Sequence, residues 1–157
     1  MAKTFKGFRL YAEDCNDFDL PDTKRIRHEF NVKVNFLKKN PAQTKFSSIM
    51  DVLNGYLLNG INGDFRQGEK GLIHHNISNI IDLVDFRKSI FIFDRGYVGM
   101  ELYARLIELN TYYVVRLDDS YKKERDKINS NDSPIKLHLT AKRLKRFHNP
   151  ILKEKIQ

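Results

Sequence analysis

The chain has 157 residues, 41% of them hydrophobic and 31% charged, with a formal net charge of +8. That length serves one ordinary core and is too short for two comfortable domains. No stretch approaches eighteen apolar residues and the N-terminus has no apolar signal core, which argues against membrane-spanning or exported classes. Cys15 is the only cysteine, so an intrachain disulfide and a thiolate zinc site are excluded and a reducing cytoplasm is the expected setting.

The charge is uneven. Residues 1–45 hold ten Lys/Arg against six Asp/Glu, residues 46–115 six against eight, and residues 116–157 twelve against six. A mildly acidic centre between basic ends suits a carboxylate site that meets a phosphate backbone, although the same balance also serves plain solubility.

In chain order, residues 7–14 alternate Phe8, Leu10 and Ala12 against Arg9, Tyr11 and Glu13, a strand pattern expected to stop at Asp14. The following D-C-N-D-F-D-L-P-D-T reads as turn chemistry, because Asp and Asn bond back to the backbone and Pro21 ends a ladder. Residues 24–44 are polar and basic, with weak alternation at Val32, Val34 and Phe36, and are expected to form a loop holding a short strand. Residues 45–53 and 56–62 read as a hairpin joined at Asn54-Gly55. Residues 66–85 place Ile73, Ile77, Ile80, Ile81 and Val84 at helical spacing, with Gly68 and Gly71 weakening the start by about 1 kcal/mol each.

Residues 90–117 carry the densest signal. Ile90 to Phe93 is a short apolar run that enters a carboxylate, Asp94, and a glycine turn. Val98, Leu102, Leu106 and Leu109 then form a helical stripe, and Tyr112 to Val115 is a second apolar run closed by Arg116. Short apolar runs bounded by turns read as strands buried on both faces. Strand, short helix, strand is a βαβ unit with parallel strands. Chemistry in such sheets gathers at strand carboxyl ends, where Asp94 and Arg116 lie.

Beyond Leu117 the chain is charged and turn-rich, reading as surface loop or partial disorder. Ile135, Leu137 and Leu139 alternate, but nothing after them offers an obvious partner strand. Three features have bland readings that outweigh functional ones. Asp51 serves a hairpin hydrogen bond better than a metal. His74 and His75 are neighbours on a helix, about 100° apart, and read as structural. The run K-R-L-K-R-F-H can follow a nucleic-acid backbone, but more often such a run is a solvated surface.

The segment D-R-G-Y, E-L, a leucine-rich helix and Y-Y-V-V-R-L resembles the second catalytic block of insertion-sequence DDE transposases of the IS-four type. Upstream, F-K-G-F-R-L-Y-A-E-D-C-N-D-F-D-L-P-D-T resembles that family's first block, in which a strand ends in Asp-Gly-Ser ahead of Leu-Pro. Here the Asp is Asp14 and the Leu-Pro is Leu20-Pro21, while Cys15 and Asn16 occupy the Gly-Ser positions. The resemblance covers roughly residues 5–145 and implies an α/β, ribonuclease H-like mixed sheet with flanking helices, truncated before its last helix. It implies a partial catalytic domain over residues 1–119 and the start of a basic, poorly ordered insertion over 120–157.

The family cuts and joins DNA ends by phosphoryl transfer with Mg²⁺, or Mn²⁺ in its place. By resemblance, Asp14 and Asp94 are metal-binding catalytic acids, since hard cations prefer oxygen ligands. Arg116, Arg95 and Tyr97 are then expected at the DNA; the alternative for the arginines is an ion pair with Asp94, Glu101 or Asp118, or, for Arg95, a role in the turn. The family's third acid is a Glu in a Y-x-x-R-x-x-x-E-x-x-x-x-x-x-K block, absent here. Glu124 and Glu154 are the only later glutamates and lack that context. The expectation is a transposase fragment inactive in strand transfer. Two alternatives are a non-catalytic DNA-binding or inhibitory fragment and a ribonuclease H-like nuclease with its own third acid.

Overall fold

The structure, a computed structural model, describes residues 2–30, 42–64, 67–128, 130, 132–135, 137 and 139–156. Strands β1 (Arg9–Leu20), β2 (Ala42–Asp51), β3 (Tyr56–Asp64), β4 (Ser89–Phe93) and β5 (Tyr112–Val115) form one sheet in the order β3-β2-β1-β4-β5. The β1–β2 and β2–β3 pairs are antiparallel, and the β1–β4 and β4–β5 pairs are parallel. Flanking helices are α1 (Lys24–Glu29), α2 (Glu69–Asn79), α3 (Met100–Glu108), α4 (Lys122–Arg125), α5 (Ala141–Leu144) and α6 (Pro150–Ile156). This mixed α/β sheet agrees with a ribonuclease H-like transposase domain.

Strand β1 does not stop at Asp14. It runs to Leu20, and residues 14–20 pair with Ser48 back to Ala42. Turn formers are held in a ladder because β2 answers them residue by residue. Asp17 ion-pairs with the facing Lys45 at 2.8 Å. Asp19 accepts from the facing Gln43 at 2.8 Å, and Phe18 packs edge-on against Phe46. Cross-strand pairing of this kind outweighs single-residue strand propensity.

The hairpin forms with a four-residue connection, 52–55. Gly55 takes φ +69° there, a left-handed conformation that glycine adopts without a Cβ clash. Asp51 organises the turn, accepting from the Asn54 backbone N–H at 2.9 Å and from its amide at 2.7 Å. Burial raises the Asp51 carboxyl pKa, but these Asn54 bonds and the Arg9 guanidinium outweigh it and hold the group below its ordinary value. Lys24–Glu29 is a helix capped by Thr23 rather than loop. The proposed strand at Val32, Val34 and Phe36 lies outside the described residues.

The core occupies one face of the sheet. Tyr11, Ile49, Phe91 and Phe93 point to it and meet Ile73 and Ile77 of α2 and Leu102 and Leu106 of α3. Helix α2 is shorter than the periodicity suggests. It ends at Asn79, and Ile80 and Val84 reach the core from the turn that follows, while Ile81 is exposed. The other face presents Met50, Tyr112 (61% exposed) and Val114 (58% exposed), with Ile90 and Ile92 half-buried.

Residues 118–156 do not form a strand at 135–139 within the described positions. They fold as short helices and turns against the outer side of α3. Glu101 accepts from the backbone N–H of His148 and Asn149 at 3.0 and 2.7 Å, and Leu152 and Phe147 are buried. Among the described residues no helix is long and apolar enough to cross a membrane.

Candidate active site

The parallel ladder sets the site. Arg9, Leu10, Tyr11 and Ala12 of β1 pair in order with Ser89, Ile90, Phe91 and Ile92 of β4. Continuing that register by two residues sets Asp14 opposite Asp94. On the far side of β4, Phe93 pairs with Val115, so Asp94 faces Arg116 in turn, and the Arg116 N–H donates to the Phe93 carbonyl at 3.3 Å. Asp94 stays extended (φ −78°, ψ −179°) and so prolongs β4 by one residue before the chain turns. Registered neighbours in parallel strands share a face, which is the open face carrying Ile92 and Val114. Carried on in this way, the register sets Asp14, midway along β1, in a row with Asp94 and Arg116, each one residue past the end of β4 and β5, and all three are exposed.

Each carboxylate is tethered locally. The Asp14 Oδ1 accepts the Cys15 N–H at 3.0 Å, and its Oδ2 accepts the Asn16 amide at 2.9 Å. The Asp94 Oδ1 accepts the Gly96 N–H at 2.8 Å and caps the 3-10 turn Arg95–Tyr97. Gly96 sits close to two acids: a Cβ there would lie 2.5 Å from the Glu69 Oε2 and 3.0 Å from the Asp94 Oδ1. Glu69, the first residue of α2, therefore brings another carboxylate close to Asp94, which sequence spacing alone gave no means of finding. Among the described residues no group of three or more His, Cys, Asp or Glu side chains converges as a metal cage.

The basic residues divide. Arg95 and Arg116 are exposed, and among the described residues neither makes an ion pair, so the alternative of a salt bridge to Asp94, Glu101 or Asp118 does not form. Tyr97 is different. It is 1% exposed, with its ring against Phe93, and has no solvent-facing surface to offer a backbone. Its position three residues beyond Asp94 turns it into the core rather than toward ligand. Glu124 is engaged elsewhere, accepting from Arg143 at 3.2 Å, while that guanidinium lies over the Tyr121 ring. His74 packs against Arg105 and is structural.

Beneath the row lies a buried polar cluster that the alternation pattern of β1 hid. Glu13, 4% exposed, points to the covered face. Its Oε1 accepts from the Ser47 hydroxyl and, at 3.3 Å, from the Asn76 amide. Asn76 also donates to Ser47 at 2.7 Å and accepts from Asn59. Burial pushes the Glu13 carboxyl up to about 8; hydrogen bonds from Ser47 and Asn76 partly oppose it. Burial thus favours the protonated form, the cheaper one for a buried acid.

A family model described as Transposase DDE domain matches residues 43–157. The match begins in β2, so it includes Asp94 and Arg116 and leaves Asp14 outside it. No curated protein and no solved structure was found to be similar. With well over half of its length matched, the chain belongs to the transposase DDE domain family.

Proposed function

We propose that Asp14 and Asp94 are the paired metal-binding acids of this transposase domain, of the IS-four type, and that Arg116 and Arg95 contact the phosphates of the DNA. The observation that carries the reading is the parallel β1–β4 register, which pairs Ala12 with Ile92 and, carried two residues further, brings together two exposed carboxylates from blocks 80 residues apart in sequence. The donor set fits a hard divalent cation such as Mg²⁺, with Mn²⁺ able to replace it, because it offers carboxylate oxygens and neither thiolate nor imidazole. Such an ion, when bound, supplies Lewis-acid activation of a scissile phosphate and of an attacking hydroxyl.

The chain's own residues do the rest. The Cys15 and Gly96 N–H groups hold one oxygen of each acid, fixing the carboxylate planes. Arg116, one strand beyond Asp94, presents a planar fork suited to phosphate oxygens. Two acids hold a cation weakly, and removing one member of a group that acts together costs most of its rate enhancement. The purified chain is therefore a DNA-binding, metal-binding domain inactive in strand transfer, which is also how a non-catalytic or inhibitory DNA-binding fragment would behave.

Titrating Mn²⁺ into the chain and following the free ion by electron paramagnetic resonance tests the site. Binding should be weak and should disappear in both Asp14→Asn and Asp94→Asn. Uptake unchanged by either substitution would remove the metal from this row. Mg²⁺-dependent joining of DNA ends by the chain alone would show that a third acid is already in place, with Glu69 the first residue to substitute.

A further inference from the structure

Of the buried side-chain polar atoms among the described residues that lack a hydrogen bond, two are the Glu13 Oε2 and the Tyr97 hydroxyl. They belong to side chains on the two acid-bearing segments. Glu13 precedes Asp14 on β1, and Tyr97 closes the turn that Asp94 caps. The Tyr97 hydroxyl lies close enough to the Glu13 carboxyl to favour its charged form. Each atom alone would be a costly defect, since an unpaired buried polar group costs about 1–3 kcal/mol. The two are not bonded to each other, and a bond between them would satisfy both, because a carboxyl group and a phenol can supply a donor and an acceptor.

Ser47 and Asn76 hold the Glu13 Oε1, tying it to β2 and α2. Tyr97 is held by its ring packing on Phe93 and by its own N–H to the Asp94 carbonyl at 3.4 Å. The ladder between β1 and β4 ends at Ala12 and Ile92, so at the level of the two acids no backbone pairing links the strands. Outer groups that orient metal ligands are worth about 10–100-fold in metal affinity.

We infer that Glu13 and Tyr97 are positioning residues, a buried side-chain pair that replaces the missing ladder and sets the spacing of Asp14 and Asp94. This rests on the reading of those two acids as the metal site, and it deepens that reading by naming what holds them together. Neither residue touches the ion or the DNA.

The test uses the ¹⁵N-labelled 157-residue chain and reads each substitution at the opposite acid. Glu13→Leu and Ser47→Ala are read at the Gly96 amide, which bonds Asp94. Tyr97→Phe, which removes only a hydroxyl and leaves the ring packing, is read at the Cys15 amide, which bonds Asp14. Both amides should shift, while Glu13→Gln should leave Gly96 in place. Mn²⁺ affinity should fall roughly tenfold in Tyr97→Phe and in Glu13→Leu. The double variant should lose no more than either single one, and Glu13→Gln should bind as the parent does.

A Cys15 amide unmoved by Tyr97→Phe together with a Gly96 amide unmoved by Ser47→Ala would overturn the inference, as would losses of affinity that multiply in the double variant. Should Mn²⁺ fail to broaden Cys15 and Gly96 in the parent chain, the metal-site reading fails. The two amide shifts then decide the positioning role by themselves: movement supports it and silence ends it.

Discussion

The two faces of the sheet are built from the same strands and behave as different surfaces. On the covered face, Tyr11, Ile49, Phe91 and Phe93 meet two helices and are buried. On the other, one residue along each strand, Ile90, Ile92, Tyr112 and Val114 remain half-buried or exposed. Alternation alone separates the two sets. The acids and Arg116 stand on the open face, and the Glu13, Ser47 and Asn76 polar cluster sits on the covered one. Stability is thus invested on one side of the sheet and the candidate chemistry on the other.

If this division is right, truncations on the covered face cost most. Leu106→Ala, at a fully buried α3 position, should destabilise the chain by about 3 kcal/mol, read from denaturant unfolding. A cost within error would mean that α3 is not part of the cooperative core. Removing Asp51 should come next. Asp51→Ala strips the partners from Asn54 and Arg9 at the hairpin, and about 2 kcal/mol should follow. Asp51→Asn should recover part of it, because an amide oxygen still accepts from the turn.

The α2–α3 contact on the covered face also carries a pH signature. Burial, and then the Arg105 guanidinium, hold the His74 imidazole below its ordinary value. The unfolded chain then binds a proton that the folded chain refuses, so stability should decline as pH falls below about 6.5 and level off below the folded value. A His74→Gln variant should lose that part of the slope. A variant with the parent's slope would place the titration elsewhere.

The smallest stability effect is expected on the open face, where it sharpens the contrast most. Val114→Lys should change stability by no more than about 0.5 kcal/mol, as for surface substitutions away from special features. The same change should lower hydrophobic-dye binding and self-association of the chain, because it interrupts an exposed apolar patch. A large loss of stability would show that the face is covered in solution. A parent chain that binds no dye would say the same.

How much of this was legible in advance depended on whether the signal was local. The β4–α3–β5 unit could be read from residues 90–117 because each element fits in a short window. Its apolar runs, the glycine turn and the leucine stripe are all contiguous. The Asn54-Gly55 connection was legible for the same reason. The extension of β1 through Asp14 to Leu20 was not, because residues 14–20 are turn formers whose strand conformation depends on Lys45, Gln43 and Phe46 about thirty residues away. Glu13 looked like the outward partner in an alternating strand. The reversal came from Ser47 and Asn76, which give its carboxyl a buried place to bond.

Tyr97 was misplaced for a related reason. Next to Asp94 and Arg95 in sequence it looks like a ligand-facing residue, but the 3-10 turn rotates it onto Phe93. Docking of the 118–156 segment on α3 was equally out of reach, since Glu101 captures backbone N–H groups 47 and 48 residues later.

By itself the sequence determined which residues form the central strands and helices, where Asp94 ends its strand, and that two carboxylate blocks occur in transposase order. Those are statements about hydrophobic period and local turn chemistry, which neighbouring residues settle among themselves. Only the tertiary structure decided that β1 and β4 pair in parallel, which face of the sheet is covered, and that Glu13 and Tyr97 are buried. These depend on strand register and helix placement, which are fixed by contacts between residues far apart in the chain.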